Sequence, residues 1–238
     1  MRVLKRFTCM MTVLILISSG LTISAFASEK EVTYDDETYE IVRSFFGSSV
    51  EVTNLDESIP YANASLTNVD TGEIIEAKIE HASTQKLYDL VNKTTGEPAT
   101  HYRSDFQILS EHQMSDNASD SGKGMTFYKT IYYTITTKDL FDYLSMNKID
   151  YRFEISDSTY RVTDRSMDIM QIGTDLNNQA KHQRKTTTLG DRGTVLVRDF
   201  GWVPVRTDHQ LSLIGVKTTA KILRGDSSWN FTLTMNPR

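Results

Sequence analysis

Residues 125–137 alternate between two kinds of side chain, and few folds accommodate such a segment. One set contains Met125, Phe127, Lys129, Ile131, Tyr133 and Ile135, and the other contains Thr126, Tyr128, Thr130, Tyr132, Thr134 and Thr136. A period of two in residues that are mostly β-branched or aromatic predicts a long β-strand with one buried face. Lys129 is the charged exception in the apolar set.

The rest of the chain repeats this pattern in shorter segments that turn residues separate. Strands are predicted at 64–69, 74–80, 151–155, 160–164, 195–198, 214–222 and 229–235, and residues 167–172 extend the fourth of these. Tight turns are predicted at 68–72 and 225–226. Because about eight to ten strands occur without regular alternation of strands and helices, the sequence predicts a mainly β fold, an antiparallel β-sandwich-like domain.

Three segments carry helix signals instead. In residues 35–47 an acidic start precedes apolar residues four apart and a terminal glycine. In residues 83–91 a serine precedes leucines at helical spacing, and Thr137 is placed to cap a turn at 140–144. The sequence therefore predicts two or three short helices beside the strands.

The first 27 residues have the composition of an export signal. Basic residues before position 7 precede an uncharged run, and residues 25–27 form an A-x-A cleavage site. Polar residues at 18–24 shorten the apolar run below the roughly 20 residues that span a bilayer. We therefore expect a cleavable signal peptide at 1–27, cleavage between Ala27 and Ser28, and a secreted β-rich domain at 28–238, with 28–100 as a candidate small N-terminal subdomain.

Removal of the signal segment leaves an acidic chain without cysteine. The segment holds Cys9 and three basic residues but no acidic residue, so its loss lowers the formal net charge from −5 to −8. Disulfides and thiolate chemistry are thereby excluded from the mature chain. A chain this acidic is a poor general partner for nucleic acid, and no transmembrane segment is expected after cleavage. Such a thiol-free exported chain is typical of Gram-positive bacteria.

No catalytic or metal-binding motif is recognisable in the sequence. The five histidines lie far apart, no G-x-S-x-G motif is present, and residues 116–122 lack a ligand where an EF-hand loop requires one. Glycoside hydrolysis needs two facing carboxylates, but among 31 acidic residues no pair stands out. The sequence therefore indicates no catalytic residue, no metal and no cofactor.

Two tyrosines in the polar set of alternate residues from 126 to 136 are the first candidates for binding. Tyr128 and Tyr132 are expected on a solvent-facing strand surface, where tyrosines stack on sugars or enter interfaces. The alternative is that threonine and tyrosine are simply favourable strand residues on a half-exposed sheet.

A basic segment supplies the second group of candidates. Lys181, His182, Arg184 and Lys185 concentrate positive charge within residues 177–188. Such a cluster is suited to an anionic polymer or lipid head group. The alternative is a solvated linker with no partner.

These observations favour a secreted, non-enzymatic β-sandwich protein that binds an extracellular protein, a glycan or a membrane surface. The second hypothesis is a membrane-acting protein of the bacteriocin or pore-forming type, because the 125–137 strand adjoins the long polar 110–124 loop. Against it, Lys129 lies on the parity that would face lipid. A secreted hydrolase with an unidentified carboxylate pair is the third.

Overall fold

A computed structural model describes residues 34–45, 61–110, 124–208 and 212–237. Within them the chain forms thirteen β-strands and one short 3₁₀ helix, Val197–Phe200. The first seven strands are β1 Tyr39–Ser44, β2 Tyr61–Asn68, β3 Ile74–Glu76, β4 Lys78–Asn92, β5 Pro98–Ser110, β6 Met125–Lys138 and β7 Phe141–Ile155. The other six are β8 Tyr160–Thr174, β9 Ala180–Thr188, β10 Arg192–Leu196, β11 Val205–Arg206, β12 Leu213–Arg224 and β13 Ser227–Asn236.

The strands form two antiparallel sheets. In the first sheet the order is β1-β4-β5-β6-β7-β10, and β11 also pairs with β7. In the second sheet the order is β3-β2-β13-β12-β8-β9. Consecutive strands β4 to β7 are neighbours in the first sheet, where each pairs antiparallel with the next. The prediction of a mainly antiparallel β fold is confirmed.

Side chains from both sheets meet in one hydrophobic core. The apolar set of alternate residues in β6 faces this core. The strand predicted at 125–137 is therefore confirmed, with the expected face buried. Phe127 is fully buried, and its ring centroid lies 5.8 Å from that of Phe231 on the second sheet. The Tyr133 hydroxyl donates a hydrogen bond to the carbonyl of Pro237 at 3.1 Å, which adds a polar link at one end of the core.

Lys129 is buried among these apolar side chains. It is 1% exposed, and its Nζ donates to Oγ1 of Thr218 on the second sheet at 2.5 Å. Burial lowers the pKa of Lys129 well below its usual value, because the charged ammonium loses its hydration. The folded state therefore favours the neutral amine.

The three predicted helices are wrong. Residues 39–44 form strand β1, and residues 83–91 lie within β4. Residues 137–144 comprise the end of β6, the two-residue turn 139–140 and the start of β7. Residues 46 and 47 of the first segment lie outside the described residues. The sequence signals failed because local spacing was outweighed by pairing with neighbouring strands.

Irregular strand geometry explains two of these errors. In β4 the extra residue Leu87, at a register shift between Lys86 and Tyr88, breaks the alternation, so that buried Leu87 and Leu90 have a helical spacing. Between β6 and β7, Asp139 and Leu140 have φ angles of 51° and 70°, as a two-residue hairpin loop requires.

Several strands differ in extent from the prediction. The 74–80 segment is divided, since β3 belongs to the second sheet and β4 begins in the first. The 151–155 segment is the end of a longer β7, and β8 joins 160–164 to 167–172 through Asp164, whose φ is 49°. The 195–198 segment leaves the strand after Leu196 and enters the 3₁₀ helix.

Two further segments were misjudged from the sequence. Strand β5 was not predicted, and the supposed linker at 177–188 contains β9, which pairs with β8 along its whole length. Residues 1–27 and 111–123 lie outside the described residues, so the signal peptide and the 110–124 loop stay predictions, as does the 28–100 subdomain. Among the described residues no helix has the length and apolar character needed to cross a membrane.

Candidate functional site

Alternate residues of β4 to β7 form the outer face of the first sheet, on the side away from the core. β6 contributes its polar set of alternate residues, 126 to 136. The pairing register of β6 with β5 and β7 determines which residues lie beside each of them. On β5, His101, Arg103 and Asp105 pair with Thr134, Tyr132 and Thr130, and on β7, Lys148 and Asp150 pair with Tyr132 and Thr130. We call this surface the outer face.

His101 lies deep in the outer face and has no exposed surface. Its Nδ1 lies 3.0 Å from Oγ1 of Thr134, and the Thr134 hydroxyl donates to Oδ1 of Asn147 at 3.0 Å. Because the threonine proton is used for Asn147, His101 must donate from Nδ1, and its lone pair is on Nε2. Burial lowers the pKa of His101 to about 3, so the ring is neutral at ordinary pH. A buried neutral ring positions its neighbours and is a poor proton carrier.

Two β-bulges lie beside His101. In β4 the register shifts between Lys86 and Tyr88, and Tyr88 pairs with His101. In β7 Asn147 is the extra residue at the register shift opposite Tyr132 and Tyr133. The N–H of Met146 next to this second bulge donates to Oε1 of Gln171 at 2.9 Å, so its backbone donor is satisfied. Bulges occur near functional sites because they re-aim side chains, and these two place Tyr88 and Asn147 around the His101–Thr134 pair.

A row of rings crosses the outer face. The ring centroids of Tyr88 and His101 are 6.0 Å apart with an interplanar angle of 24°, and those of His101 and Tyr132 are 6.4 Å apart at 12°. Nζ of Lys148 lies 5.1 Å from the Tyr132 centroid. Both sides of the Tyr132 ring therefore have neighbours, and only 7% of the residue is exposed. It does not offer an open ring face to a sugar.

Tyr128, the other predicted tyrosine, is half-buried under an arginine. The guanidinium carbon of Arg152 lies 4.3 Å from the Tyr128 ring centroid. Burial raises the pKa of Tyr128, with a further contribution from the carboxylate of Glu154. The structure thus places both tyrosines on the expected face of the sheet, but it covers their rings with basic side chains.

The outer face carries three ion pairs, and each joins two residues that are two positions apart on the same strand. They are Arg103–Asp105 at 2.9 Å, Lys148–Asp150 at 3.1 Å and Arg152–Glu154 at 3.3 Å. Two of the acids also accept from threonine hydroxyls, Asp105 from Thr130 and Asp150 from Thr194, each at 2.6 Å. The three pairs are electrically neutral together, and their donors and acceptors are held in fixed directions.

The predicted basic residues lie on the other sheet. β9 is the edge strand of the second sheet, and its alternation turns His182 and Arg184 to the outside and Lys181 and Lys185 to the opposite side. Three of them have partners within the chain: Arg184 binds both oxygens of Asp168, Lys181 lies 3.2 Å from Asp175, and Nζ of Lys185 lies 3.9 Å from the Phe200 ring centroid. The tyrosine group and the basic group therefore do not form one site.

Sequence reasoning missed most of the outer face. The missed residues are His101, Arg103, Asp105, Asn147, Lys148 and Asp150. A weak signal was present in β5, where residues 101–107 alternate between polar residues at odd positions and a mixed set at even positions. A polar parity is recognisable as a surface only when the partner strand is known, because the same residues also suit a loop.

The remaining cavities and clusters offer less chemistry. Among the described residues no three His, Cys, Asp or Glu side chains are placed to hold a metal ion. A cleft at one end of the core is lined by Leu144, Thr207, Asp208, Ser212, Ile214, Asn236 and Pro237. Asp208, the acid in this lining, lies 2.6 Å from Nε of Arg206 in an ion pair.

No family model matches this chain, and no curated protein or solved structure shows significant similarity to it. Its function has to be inferred from the outer face itself. The chemistry available there is hydrogen bonding by fixed groups of both charges, which suits recognition of a polar ligand.

Proposed function

We propose that this chain is a secreted, non-enzymatic β-sandwich protein that acts by binding, and that its outer face holds a neutral, hydroxyl-rich polymer such as a polysaccharide. The array of three ion pairs on this face is the observation that carries the proposal. The export pattern in residues 1–27 supports secretion.

The side chains of the outer face are fixed before any ligand arrives. Arg103 and Asp105 keep 33% and 19% of their side-chain surface exposed, and Lys148 and Asp150 keep 5% and 13%, while each is held by an ionic partner. Immobilising a flexible side chain during binding costs about 0.5–1.5 kcal/mol. Because this ordering has occurred in the folded protein, much of that cost is absent when a ligand binds.

The chemistry of the outer face favours a glycan over a protein partner. Sugar hydroxyls both donate and accept, so they complement alternating cations and carboxylates whose net charge is zero. Protein interfaces usually centre on exposed apolar anchors. Among the described residues, the exposed large hydrophobic side chains are Ile41, Val42, Tyr61, Val69, Ile74, Leu140, Ile155, Val203 and Leu213, and none of them lies on the outer-face positions of β4 to β7. Ile41 is on the same side of the sheet, on the edge strand β1.

The carboxylates of the outer face support binding without hydrolysis. Asp105 and Asp150 pair with Thr130 from its two sides, so their Cα atoms are about 10 Å apart, two strand spacings. A glycosidase also needs one carboxyl group kept protonated by an apolar environment. Each of these carboxylates instead lies beside a cation.

Membrane insertion of the β6–β7 hairpin receives less support. Phe127 and Ile131 are fully buried, and Lys129 lies between them on the same parity. Release of this hairpin would remove the central strand of the first sheet from the core and expose that apolar surface to water.

The test uses purified residues 28–238 and a panel of soluble neutral polysaccharides, with binding measured by titration calorimetry. We expect at least one to bind, and Arg103→Gln to weaken it about tenfold or more, because a hydrogen bond to a charged group is worth about 1.5–3 kcal/mol. Arg161→Gln removes the same charge from the second sheet and should leave the affinity unchanged. Absence of binding across the panel, release of reducing ends, or dye release from liposomes would each contradict the proposal.

A further inference from the structure

The outer side of the second sheet carries positive charge in a chain that is acidic overall. Its outward positions hold four cations, Arg161, Arg184, Lys217 and Lys221, and two acids, Glu76 and Asp168. A third acid, Asp164, is exposed at the register shift of β8. The complete chain has 26 Lys and Arg against 31 Asp and Glu. We call this surface the cationic face. Its sign is opposite to that of the molecule as a whole.

Three of the four cations lie on or beside β12 in the order Arg161, Lys221 and Lys217, and Arg184 lies two strands to the side. Val216, Thr218 and Ile222 of β12 are fully buried, so Lys217 and Lys221 point outward, about 13 Å apart along the strand. Arg161 pairs with Leu223, beyond Lys221. Arg184 of β9 pairs with Met170 of β8, and Met170 pairs with Gly215 of β12. Arg184 therefore lies beyond Lys217, at the opposite end from Arg161.

Three of these cations, Arg161, Lys217 and Lys221, have no hydrogen-bonded or ion-paired partner among the described residues, although Lys217 lies opposite Asp168. Asp168 accepts from Nε and Nη2 of Arg184, and these hydrogen bonds are the main reason that its pKa is lowered, with a smaller contribution from the charge of Lys217. A ligand of opposite charge would replace only water at Arg161 and Lys221, and at Lys217 it would add to the attraction of Asp168.

Short hydroxyl side chains fill the space between the cations. One row crosses five strands through Ser65, Thr232, Thr219, Ser166 and Thr188. Thr219 lies midway between Lys217 and Lys221, and its Oγ1 is 2.7 Å from Oγ of Ser166. Such side chains leave the longer cations unobstructed and can donate to phosphate oxygens.

We propose that the cationic face binds a linear polymer of phosphate groups, which lies along β12 and engages Arg161, Lys221 and Lys217 in succession. A linear polyanion matches the line of charges, and the several acceptor oxygens of each phosphate match the hydroxyl rows. This surface is on the opposite sheet from the outer face, and its function does not depend on the function proposed there.

Salt dependence gives the size of the expected effect. Contact with three phosphates of a single-stranded polyanion gives a slope of log affinity against log salt of about −2, or a loss of roughly twentyfold between about 50 and 200 mM salt. Lys217→Gln with Lys221→Gln leaves one cation, so the slope should fall to about −0.7.

The experiment measures the anisotropy of fluorescently labelled inorganic polyphosphate with purified residues 28–238 at both salt concentrations. We expect binding that the Lys217→Gln/Lys221→Gln pair weakens tenfold or more at the lower salt and that Lys217→Arg/Lys221→Arg retains. The matched control is Lys86→Gln/Lys138→Gln, which removes the same charge from two ion pairs of the first sheet and should bind as the wild type.

Three results would overturn this proposal. They are polyphosphate binding no tighter than that of neutral dextran, equal weakening by both lysine pairs, and tighter binding to anionic vesicles than to polyphosphate. Because the proposed polysaccharide site is neutral, its failure would show in the polysaccharide panel without affecting polyphosphate binding.

Discussion

Replacement of His101 by asparagine should reduce the loss of unfolding free energy that this protein shows as the pH falls. The amide of the introduced asparagine can still donate to Oγ1 of Thr134, so the bond that measures 3.0 Å in the wild type has a replacement. The His101→Asn variant loses ring packing and is destabilised at every pH. The variant also lacks the titrating ring, and the effect of this second loss on the unfolding free energy depends on pH.

The magnitude follows from the difference between the two states of the wild type. The pKa of His101 is lowered from 6.5 to about 3 on folding, because burial removes the charged ring from water. Between these values the unfolded state binds the proton and the folded state does not, so stability is lost as the pH falls. Integration gives a loss of about 2 kcal/mol between pH 7 and pH 5, at about 1.4 kcal/mol per pH unit below 6.5.

Urea unfolding of residues 28–238 at pH 7 and pH 5 measures this difference. The loss of unfolding free energy between the two pH values should be about 2 kcal/mol smaller for His101→Asn than for the wild type, with unchanged m values. His182→Asn removes an exposed histidine of β9 and should keep the wild-type difference. Equal pH dependence in the wild type and His101→Asn would refute the claim that a neutral, buried His101 organises the outer face.

Three further changes test the packing. Lys129→Met combined with Thr218→Val should raise the unfolding free energy at pH 7 by about 1–4 kcal/mol, because a matched apolar pair replaces a desolvated amine and its hydroxyl partner. The wild type should also gain stability between pH 7 and pH 9, because residue 129 binds a proton more readily in the unfolded state than in the folded state. The double variant lacks this amine and should not show the gain. Leu140→Gly should raise the unfolding free energy by about 1 kcal/mol in urea titrations, because Leu140 has a φ of 70° and is 97% exposed. Gly193→Ala should lower the melting temperature by several degrees in calorimetry, since its Cβ would lie 2.7 Å from Oη of Tyr151; no change would contradict that packing.

The core was readable from the sequence because burial imposes a simple period on a regular strand. The apolar parity of β6 and the alternation of β12 and β13 are each confirmed, including the position of Lys129 on the buried side. The sequence could not show that Lys129 has a hydroxyl partner, since Thr218 lies 89 residues away in the chain and on the other sheet. Its partner is set by the packing of two sheets.

The outer face was mostly hidden from sequence reasoning because it depends on registers and bulges. His101, Thr134 and Asn147 come from three strands, and the register shift in β7 brings Asn147 to its position. The same cause produced the false helix at 83–91, where the bulge at Leu87 disturbs the strand period. Local propensity cannot anticipate such shifts, since they depend on the partner strand.

The most direct test of a binding function for the outer face is the dissociation constant of the polysaccharide that binds residues 28–238 most tightly. It is compared between the wild type, Arg103→Gln/Asp150→Asn and Lys217→Gln/Lys221→Gln. The first pair leaves the net charge unchanged, so any effect reports on hydrogen bonding at the outer face. We predict a loss of about 100-fold or more for this pair, at about 1.5–3 kcal/mol per charged hydrogen bond, and no change for the lysine pair. Wild-type affinity in the Arg103→Gln/Asp150→Asn variant would contradict a binding site on the outer face.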